Sequence, residues 1–289
     1  MNDPKNWERE AAHINNATRH NNRRGPLRDP KSTTHYVVVD LEFVYDQHAH
    51  QTYIICDEQG QAKIRWPFHR IVSVAWLPIS FDPEQPSAPI VGEMTSIGKP
   101  EYGEPAMVST LFKYLEEHPD SIIVTYGGEY KDLPVLRRAA AEYDLCLPKQ
   151  VRHCRVQDMV HLDLSNAVRG YATPVHLPEY AAAQAVPCKT SLPSKAVGFA
   201  AQAGSWDVVK AQAEQDVITT AILLCRHLAS NRMIAASGLA CDIAVAKAVI
   251  ETHNHLPFVS EFLTKWRNGR EMLLAFKAGA AKSLKNEED

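Results

Sequence analysis

The chain has 289 residues, 45% of them hydrophobic, a length that fits one large globular domain or two modest ones. Its net charge of −3 excludes a global basic field around the protein, but not a local basic groove beside an acidic metal site. The six scattered cysteines, the polar N-terminus and the absence of a long apolar run predict a cytosolic (cytoplasmic) protein with reduced thiols, no secretory signal and no membrane span.

The N-terminal residues 1–31 are rich in Asn, Arg and His and show no apolar period, which predicts a flexible arm. Seven Lys or Arg against four Asp or Glu give the arm a net charge of +3. A weak contact with nucleic acid is the alternative to a solvated tail. We expect the main domain at 32–232 and a helical C-terminal extension at 233–289.

The first predicted strand, residues 33–45, consists mostly of β-branched and aromatic residues, as in a strand buried on both faces. Asp40 and Glu42 project from the same face of this strand because side chains alternate along it. Burying two like charges side by side is costly unless a cation neutralises them. The pair therefore predicts a divalent-metal site, with a strand end that runs into solvent as the alternative.

Further along the chain, short apolar runs predict strands at 51–56, 70–77 and 121–126, and the first two complete an antiparallel meander with 33–45. Residues 78–104 are rich in Pro and Gly and predict connecting structure. Helical spacing of apolar residues is found at 105–117, 133–143, 177–183, 205–230, 243–251 and 258–269. This alternation predicts a mixed α/β sheet with helices on both faces.

Three segments are less well defined by their pattern. Residues 145–160 are ambiguous between helix and strand, and His161 to Leu164 are compatible with the start of a helix. The chain is predicted to end in an unstructured stretch from Lys285.

Two further acids occur in suitable places for a metal site. Asp132 follows the strand at 121–126 and a Gly127-Gly128 break, where capping the next helix is the alternative role. Asp216 lies in the middle of helix 205–230, where Asp is a poor helix former and is not a cap, and an ordinary solvated Asp on the helix is the alternative. Gln212 lies one turn earlier on the same helical face.

The order of these acids resembles the DEDD superfamily of 3′–5′ exonucleases, and in particular the bacterial and phage group related to the proofreading domain of family B DNA polymerases. The resembling stretches are VVVDLE (37–42), HRIVSV (69–74), VTYGGEYKDLPVL (124–136), HLDL (161–164) and AEQDVITT (213–220). The resemblance covers about residues 33–230 and implies an RNase H-like fold with a mixed five-stranded sheet.

The resemblance also implies a mechanism. In this family two Mg²⁺ or Mn²⁺ ions, about 3.5–4 Å apart, flank the scissile phosphate; one activates a water and the other stabilises the leaving 3′ oxygen. By resemblance, Asp40 contacts both ions, Glu42 and Asp216 complete the shell of the first, and Asp132 holds the second. Hydrolysis from a 3′ end needs an unpaired terminal nucleotide, so single-stranded DNA is the expected substrate.

Two motifs depart from the family pattern. The second motif usually reads Asn-Gly-x-x-Phe-Asp, and here Gly127 and Lys131 stand at the Asn and Phe places. The third motif usually has Tyr or His before its Asp to orient the attacking water, and Gln212 stands there. Gln can hydrogen bond to a water but is neither a phenol nor a base, so metal binding is expected while the rate is in question.

Four residues near the acids are candidates for contacts to the substrate. The candidate contacts to the strand are Phe43, Tyr130, Lys131 and Arg137, which are near the acids in sequence; core or surface roles are the alternative for Phe43 and Arg137.

One rival function is a nuclease-fold protein that binds nucleic acid with weak or lost catalysis, and another is an exoribonuclease. A zinc module is the third rival, because Cys146, His153, Cys154 and His161 cluster within sixteen residues, although their spacing matches no usual zinc motif.

Overall fold

The computed structural model describes residues 32–57, 60, 62–152, 160–188 and 196–286. Within them six strands form one sheet: β1 (Thr34–Tyr45), β2 (His69–Phe81), β3 (Ile90–Val91), β4 (Thr95–Gly98), β5 (Ile122–Thr125) and β6 (His161–Asp163). The described helices are α1 (Gln47–Cys56), α2 (Glu104–Glu117), α3 (Asp132–Glu142), α4 (Leu164–Arg169), α5 (Leu177–Ala183), α6 (Ala196–Gln202), α7 (Trp206–Ser230), α8 (Gly238–His253) and α9 (Thr264–Asn286), with a π-helical segment at Phe258–Leu263.

The sheet is mixed and is built outward from β1. The strand order is β3-β2-β1-β5-β6, and β4 also pairs with β2. β1 is antiparallel to β2 along almost all of its length, and β5 and β6 are parallel to it. The carboxyl ends of β1, β5 and β6 therefore meet at the same edge of the sheet, the usual place for a site in a sheet with parallel strands.

Both faces of the sheet are covered, because successive side chains of β1 point to opposite sides. Val37, Val39 and Leu41 pack with α2 and α3 on one face. Tyr36 and Val38 pack with α7 and α8 on the other. The predicted mixed α/β sheet with helices on both faces is confirmed, with six strands instead of the expected five.

The helices after Met233 pack against the same core as α7. Val245 and Val249 of α8 and the π-helical residues Phe258 and Leu263 share one buried cluster with the apolar side of α7. Within the described residues, no helix has the length and hydrophobicity needed to cross a bilayer.

The strand predicted at 51–56, and with it the predicted meander of three strands, is wrong, because this segment lies in helix α1 and β1 pairs directly with β2. Asp46 caps the helix by accepting a hydrogen bond of 2.9 Å from the backbone N–H of Ala49. The rings of His50 and Tyr53 lie 5.0 and 5.7 Å from the ring of Phe68. The cap and this aromatic contact outweigh the strand preference of a short β-branched run.

Three other predictions need correction. Residues 78–104, predicted to be connecting structure, contain two short strands, β3 and β4. Both form because they hydrogen bond to β2, and this pairing cannot be predicted from the sequence of such short segments. His161–Asp163 is strand β6, and the helix begins only at Leu164. The last helix continues through Asn286, so Lys285 is helical, and residues 287–289 lie outside the described part. The predicted arm, residues 1–31, also lies outside it.

Candidate metal centre

Strand β1 carries the first two acids of the candidate centre. Asp40 and Glu42 follow Tyr36 and Val38 on the face of β1 that packs against α7, because every second side chain points the same way. The β1–β2 register shifts between Glu42 and Phe43. Such a bulge bends a strand locally and is common beside functional sites.

The third acid, Asp132, is placed by β5 and the turn that follows it. β5 pairs in parallel with β1, with Val124 opposite Val38, so the chain leaves β5 at the edge where Asp40 lies. Asp132 is then the first residue of α3, and it is buried. The position before it, Lys131, is the helix cap, and no side-chain cap bond is present in this described helix.

The fourth acid comes from α7, whose apolar side packs against β1 and β2. Val217 and Ile218 share a buried cluster with Val38 and Leu77 of the sheet. Asp216 precedes this pair of residues and is buried.

Three of the four acids converge closely. One carboxylate oxygen from each of Asp40, Glu42 and Asp216 lies within 4.8 Å of the others. Asp132 stands outside this group of three, but it is close enough for its charge to raise the pKa of Asp40. The structure therefore gathers the acids from β1, α3 and α7 at one place.

The electrostatics of Asp40 are those of a crowded, buried carboxyl group. Burial raises its pKa well above its ordinary value, and the charges of Asp216, Glu42 and Asp132 raise it further. The ammonium group of Lys131 lowers it. Three carboxylates this close together and partly shielded from water are unfavourable without a cation.

Asp132 lies in a similar environment. Its pKa is raised to about 7, mainly by burial and also by the charges of Asp163 and Asp216, against the lowering effect of Lys131.

The donor set fits a hard divalent cation. Oδ2 of Asp40 is buried, and among the described residues nothing donates a hydrogen bond to it. Nε2 of Gln212, also buried, likewise has no acceptor there. Carboxylate oxygens are the ligands that Mg²⁺ and Mn²⁺ prefer, and a cation satisfies a buried carboxylate oxygen that no N–H or O–H group reaches.

Asp163 is a residue of this site to which sequence reasoning gave no role. Oδ1 accepts from the backbone N–H of Gly127 at 2.9 Å, and Oδ2 accepts from that of Glu129 at 3.0 Å. Oδ1 also caps α4 through the N–H of Asn166 at 3.4 Å. Asp163 thus holds the turn that leads to Asp132. Its only sequence signal was the HLDL stretch, which reveals no partner.

The predicted substrate contacts lie in different places. Nζ of Lys131 lies 4.4 Å from the ring centre of Phe43, and both are near the acids. Phe43 is itself mostly buried and packs against His69. Tyr130 is 65% exposed on the turn before Asp132.

Arg137 points elsewhere: its Nε donates to the main-chain oxygen of Val151 at 2.8 Å. That contact joins α3 to the segment after it and favours a structural role for this arginine.

The zinc rival gains no support from the described residues. The Nε2 of His161 lies 3.0 Å from Oγ1 of Thr125, and Cys146 is exposed. His153 and Cys154 lie outside the described part of the chain. The group of potential metal ligands found among the described residues is Asp40, Glu42 and Asp216.

Solved structures show distant similarity to this chain. The family B DNA polymerase from the hyperthermophilic archaeon Pyrobaculum calidifontis is 13% identical with a TM-score of 0.47, over 75% of this chain and 29% of that one. A product-bound exonuclease I is 13% identical with a TM-score of 0.40, over 70% of this chain and 45% of that one. The chain thus spans less than half the length of either protein.

No curated protein sequence matches this chain. Residues 62–266, well over half of the chain, match the family described as "Predicted 3′-5′ exonuclease related to the exonuclease domain of PolB". The match includes Asp132, Gln212 and Asp216 and begins after β1. It confirms the resemblance to the DEDD exonucleases and, with the sheet described above, the RNase H-like fold class. The chain belongs to this family of 3′–5′ exonucleases related to the exonuclease domain of PolB.

Proposed function

We propose that the protein is a divalent-metal-dependent 3′–5′ exonuclease that hydrolyses single-stranded DNA from its 3′ end with two Mg²⁺ or Mn²⁺ ions. The observation that carries the proposal is the convergence of Asp40, Glu42 and Asp216, whose carboxylate oxygens lie within 4.8 Å of one another. Family membership supports the reaction class, and the oxygen-only donor set supports the ion class.

Four residues would hold the ions. Asp40, Glu42 and Asp216 are grouped closely enough to share one ion, and Asp132, whose charge acts on Asp40, would hold a second. When bound, such ions activate water and neutralise charge on the phosphoryl group.

The remaining chemistry belongs to side chains of this protein. Lys131 places a positive charge beside Asp40 and Asp132, where it attracts a phosphate of the strand and offsets the repulsion of the acids. Gln212 lies one helical turn before Asp216 and offers an amide that hydrogen bonds to the attacking water and orients it. Orientation without proton transfer gives a slower reaction than a general base would.

A nuclease assay on 5′-labelled single-stranded DNA tests the proposal. With Mn²⁺ we expect a ladder of products shortened from the 3′ end, and with EDTA no products. Asp40→Asn should abolish the ladder, whereas Asp207→Asn, an exposed carboxylate on the same helix as Asp216, should leave it unchanged. RNA of the same sequence measures the preference for the sugar. An intact substrate in the presence of Mn²⁺ would contradict the proposal.

Nucleic-acid binding with weak or lost catalysis is the second candidate function. The observation that favours it is Gln212, which occupies the place of the water-orienting Tyr or His and is neither acid nor base. Under this alternative the protein binds the labelled strand, Asp40→Asn does not weaken binding, and no ladder forms at any Mn²⁺ concentration.

A further inference from the structure

A basic depression of about 650 Å³ lies at the carboxyl end of α7, between that helix, the start of α8 and residues 270–277 of α9. Its cationic lining residues are Arg226, Arg232, Arg270 and Lys277, and none of its described lining residues is acidic. The hydroxyl-bearing Ser230 and Ser237 also line it. In a chain of net charge −3 this is a local concentration of positive charge.

One buried carboxylate fixes two of these cations. Asp242 is fully buried and accepts from Nε and Nη2 of Arg226 at 2.9 and 2.8 Å. It also pairs with Nη2 of Arg270 at 2.7 Å. Arg226 donates further to the main-chain oxygen of Gln184 at 2.7 Å. With Asp242 included, the four cations of the depression retain a net charge of +3.

Trp266 supports the same two arginines. The guanidinium carbons of Arg226 and Arg270 lie 5.8 and 5.7 Å from its ring centre. Its Nε1 donates to the main-chain oxygen of Ala185 at 2.7 Å, which holds the indole in place. Guanidinium groups that are already held in position lose little freedom when an anion binds.

We propose that this basic depression binds backbone phosphates of the nucleic-acid strand whose 3′ end enters the candidate metal centre, an inference that rests on the proposed function. Arg226 follows Asp216 by ten residues on α7, about 15 Å along the helix axis. A strand stacked as in a B-form duplex, with about 3.4 Å per phosphate, needs about four to five phosphates to span this distance, and a more extended strand needs fewer. Arginine and lysine side chains are the usual partners of the phosphate backbone.

The exposed pair Arg232 and Lys277 provides the test, because Arg226 and Arg270 belong to a buried ion-pair network whose loss would disturb folding. The binding of fluorescent dT12 is measured from 0.05 to 0.5 M salt with EDTA present, so that the strand is not cut. Each lost phosphate contact lowers the salt slope by about 0.7. Arg232→Gln/Lys277→Gln should lower it by about 1.4 and raise the Kd about 25-fold at 0.1 M salt.

A matched control removes two exposed lysines elsewhere. Lys113→Gln/Lys247→Gln changes the net charge equally, and both side chains are more than 60% exposed, on α2 and α8, and do not line the depression. It should stay within about twofold of wild type in Kd and keep the salt slope. Equal slopes and equal Kd values for the two double variants would overturn the inference, whatever the nuclease assay shows.

Two further experiments distinguish this inference from the proposed exonuclease function and from binding of free phosphate. A dinucleotide is too short to reach the depression, so with Mn²⁺ the Arg232→Gln/Lys277→Gln variant should cleave dT2 like wild type and show a raised KM for dT12 only. If wild type cuts neither strand but the EDTA binding difference persists, the exonuclease proposal fails and this inference stands. The second experiment measures the Tm with and without inorganic phosphate. If phosphate stabilises wild type but not the variant, and the two proteins bind dT12 equally well, the depression binds free phosphate and the inference is overturned.

Discussion

The carboxylate of Asp163 accepts a hydrogen bond of 2.9 Å from the backbone N–H of Gly127, at the turn that leads to Asp132, the proposed ligand of the second ion. The other carboxylate oxygen accepts a second hydrogen bond of 3.0 Å, from the N–H of Glu129, so that both oxygens hold the turn. Hydrogen bonds to a charged group contribute about 1.5–3 kcal/mol each. Asp163→Ala should therefore lower the free energy of unfolding by about 3 kcal/mol and raise the Mn²⁺ concentration needed for half-maximal activity.

Urea unfolding and an Mn²⁺ titration of hydrolysis check this pair of effects. Asp163→Asn keeps one acceptor oxygen and should lose about half as much stability. If Asp163→Ala is less stable than wild type but needs the same Mn²⁺ concentration for half-maximal activity, the turn does not position Asp132.

Gly128 is expected to tolerate no side chain because the turn passes directly beside Asp132. A Cβ at this position would lie 2.6 Å from Oγ1 of Thr125 and 2.7 Å from Oδ2 of Asp132. Gly128→Ala should displace the Asp132 carboxylate and raise the Mn²⁺ requirement more than about tenfold, a change of about 1.4 kcal/mol or more. Gly198→Ala is the matched control, since a Cβ there meets no atom within 4 Å. Equal Mn²⁺ requirements in the two variants would contradict the expectation.

Gln212 is predicted to act on the rate and not on metal binding. Its side chain is buried, and its Nε2 has no acceptor among the described residues, so the amide is available to a water in the site. Gln212→Leu keeps the approximate size and removes the amide, and it should lower kcat about tenfold with an unchanged Mn²⁺ requirement. Single-turnover hydrolysis at saturating Mn²⁺ measures this. An unchanged rate would exclude Gln212 from orienting the water.

His69 predicts how stability depends on pH. Burial, together with the charges of Lys131 and Arg138, lowers its pKa to about 4. The unfolded chain therefore takes up the His69 proton near pH 6.5, before the folded protein does, and stability falls as the pH falls from about 6.5 to 4. At one pKa unit per 1.36 kcal/mol, the loss is about 3 kcal/mol.

Urea unfolding at several pH values measures this loss. His69→Phe, which keeps a ring against Phe43 and Tyr45, should flatten the dependence in this range. If the variant keeps the pH dependence of wild type, a titratable group other than His69 causes that dependence.

Asp40→Asn should separate stability from metal binding. Three carboxylates grouped within 4.8 Å repel one another in the metal-free protein, so removing one charge should raise the free energy of unfolding in EDTA by about 1–2 kcal/mol. Saturating Mn²⁺ should stabilise the wild-type protein by several degrees in Tm and the variant not at all. Thermal unfolding with EDTA and with Mn²⁺ checks both, and equal stabilisation of the two proteins would exclude Asp40 as a ligand.

Several features could be predicted because their signals are local. The alternation of side chains along β1 is enough to place Asp40 and Glu42 on one face. The 3.6-residue period of α7 likewise places Gln212 and Asp216 together. The predictions were wrong where the secondary structure depends on a contact with another segment. Helix α1 forms through the Asp46 cap and a contact with Phe68, and the three-residue strand β6 forms by pairing with β5.

The sequence by itself determined which residues share a face within one strand or helix, because that depends only on the backbone repeat of the element. The motif order also determined the family. Only the tertiary structure decided that Asp216 meets Asp40 and Glu42, that Asp163 holds the turn before Asp132, and that Arg226 and Arg270 share Asp242. These pairs are far apart in the chain, and their distances depend on how the sheet and helices pack, which no local repeat specifies.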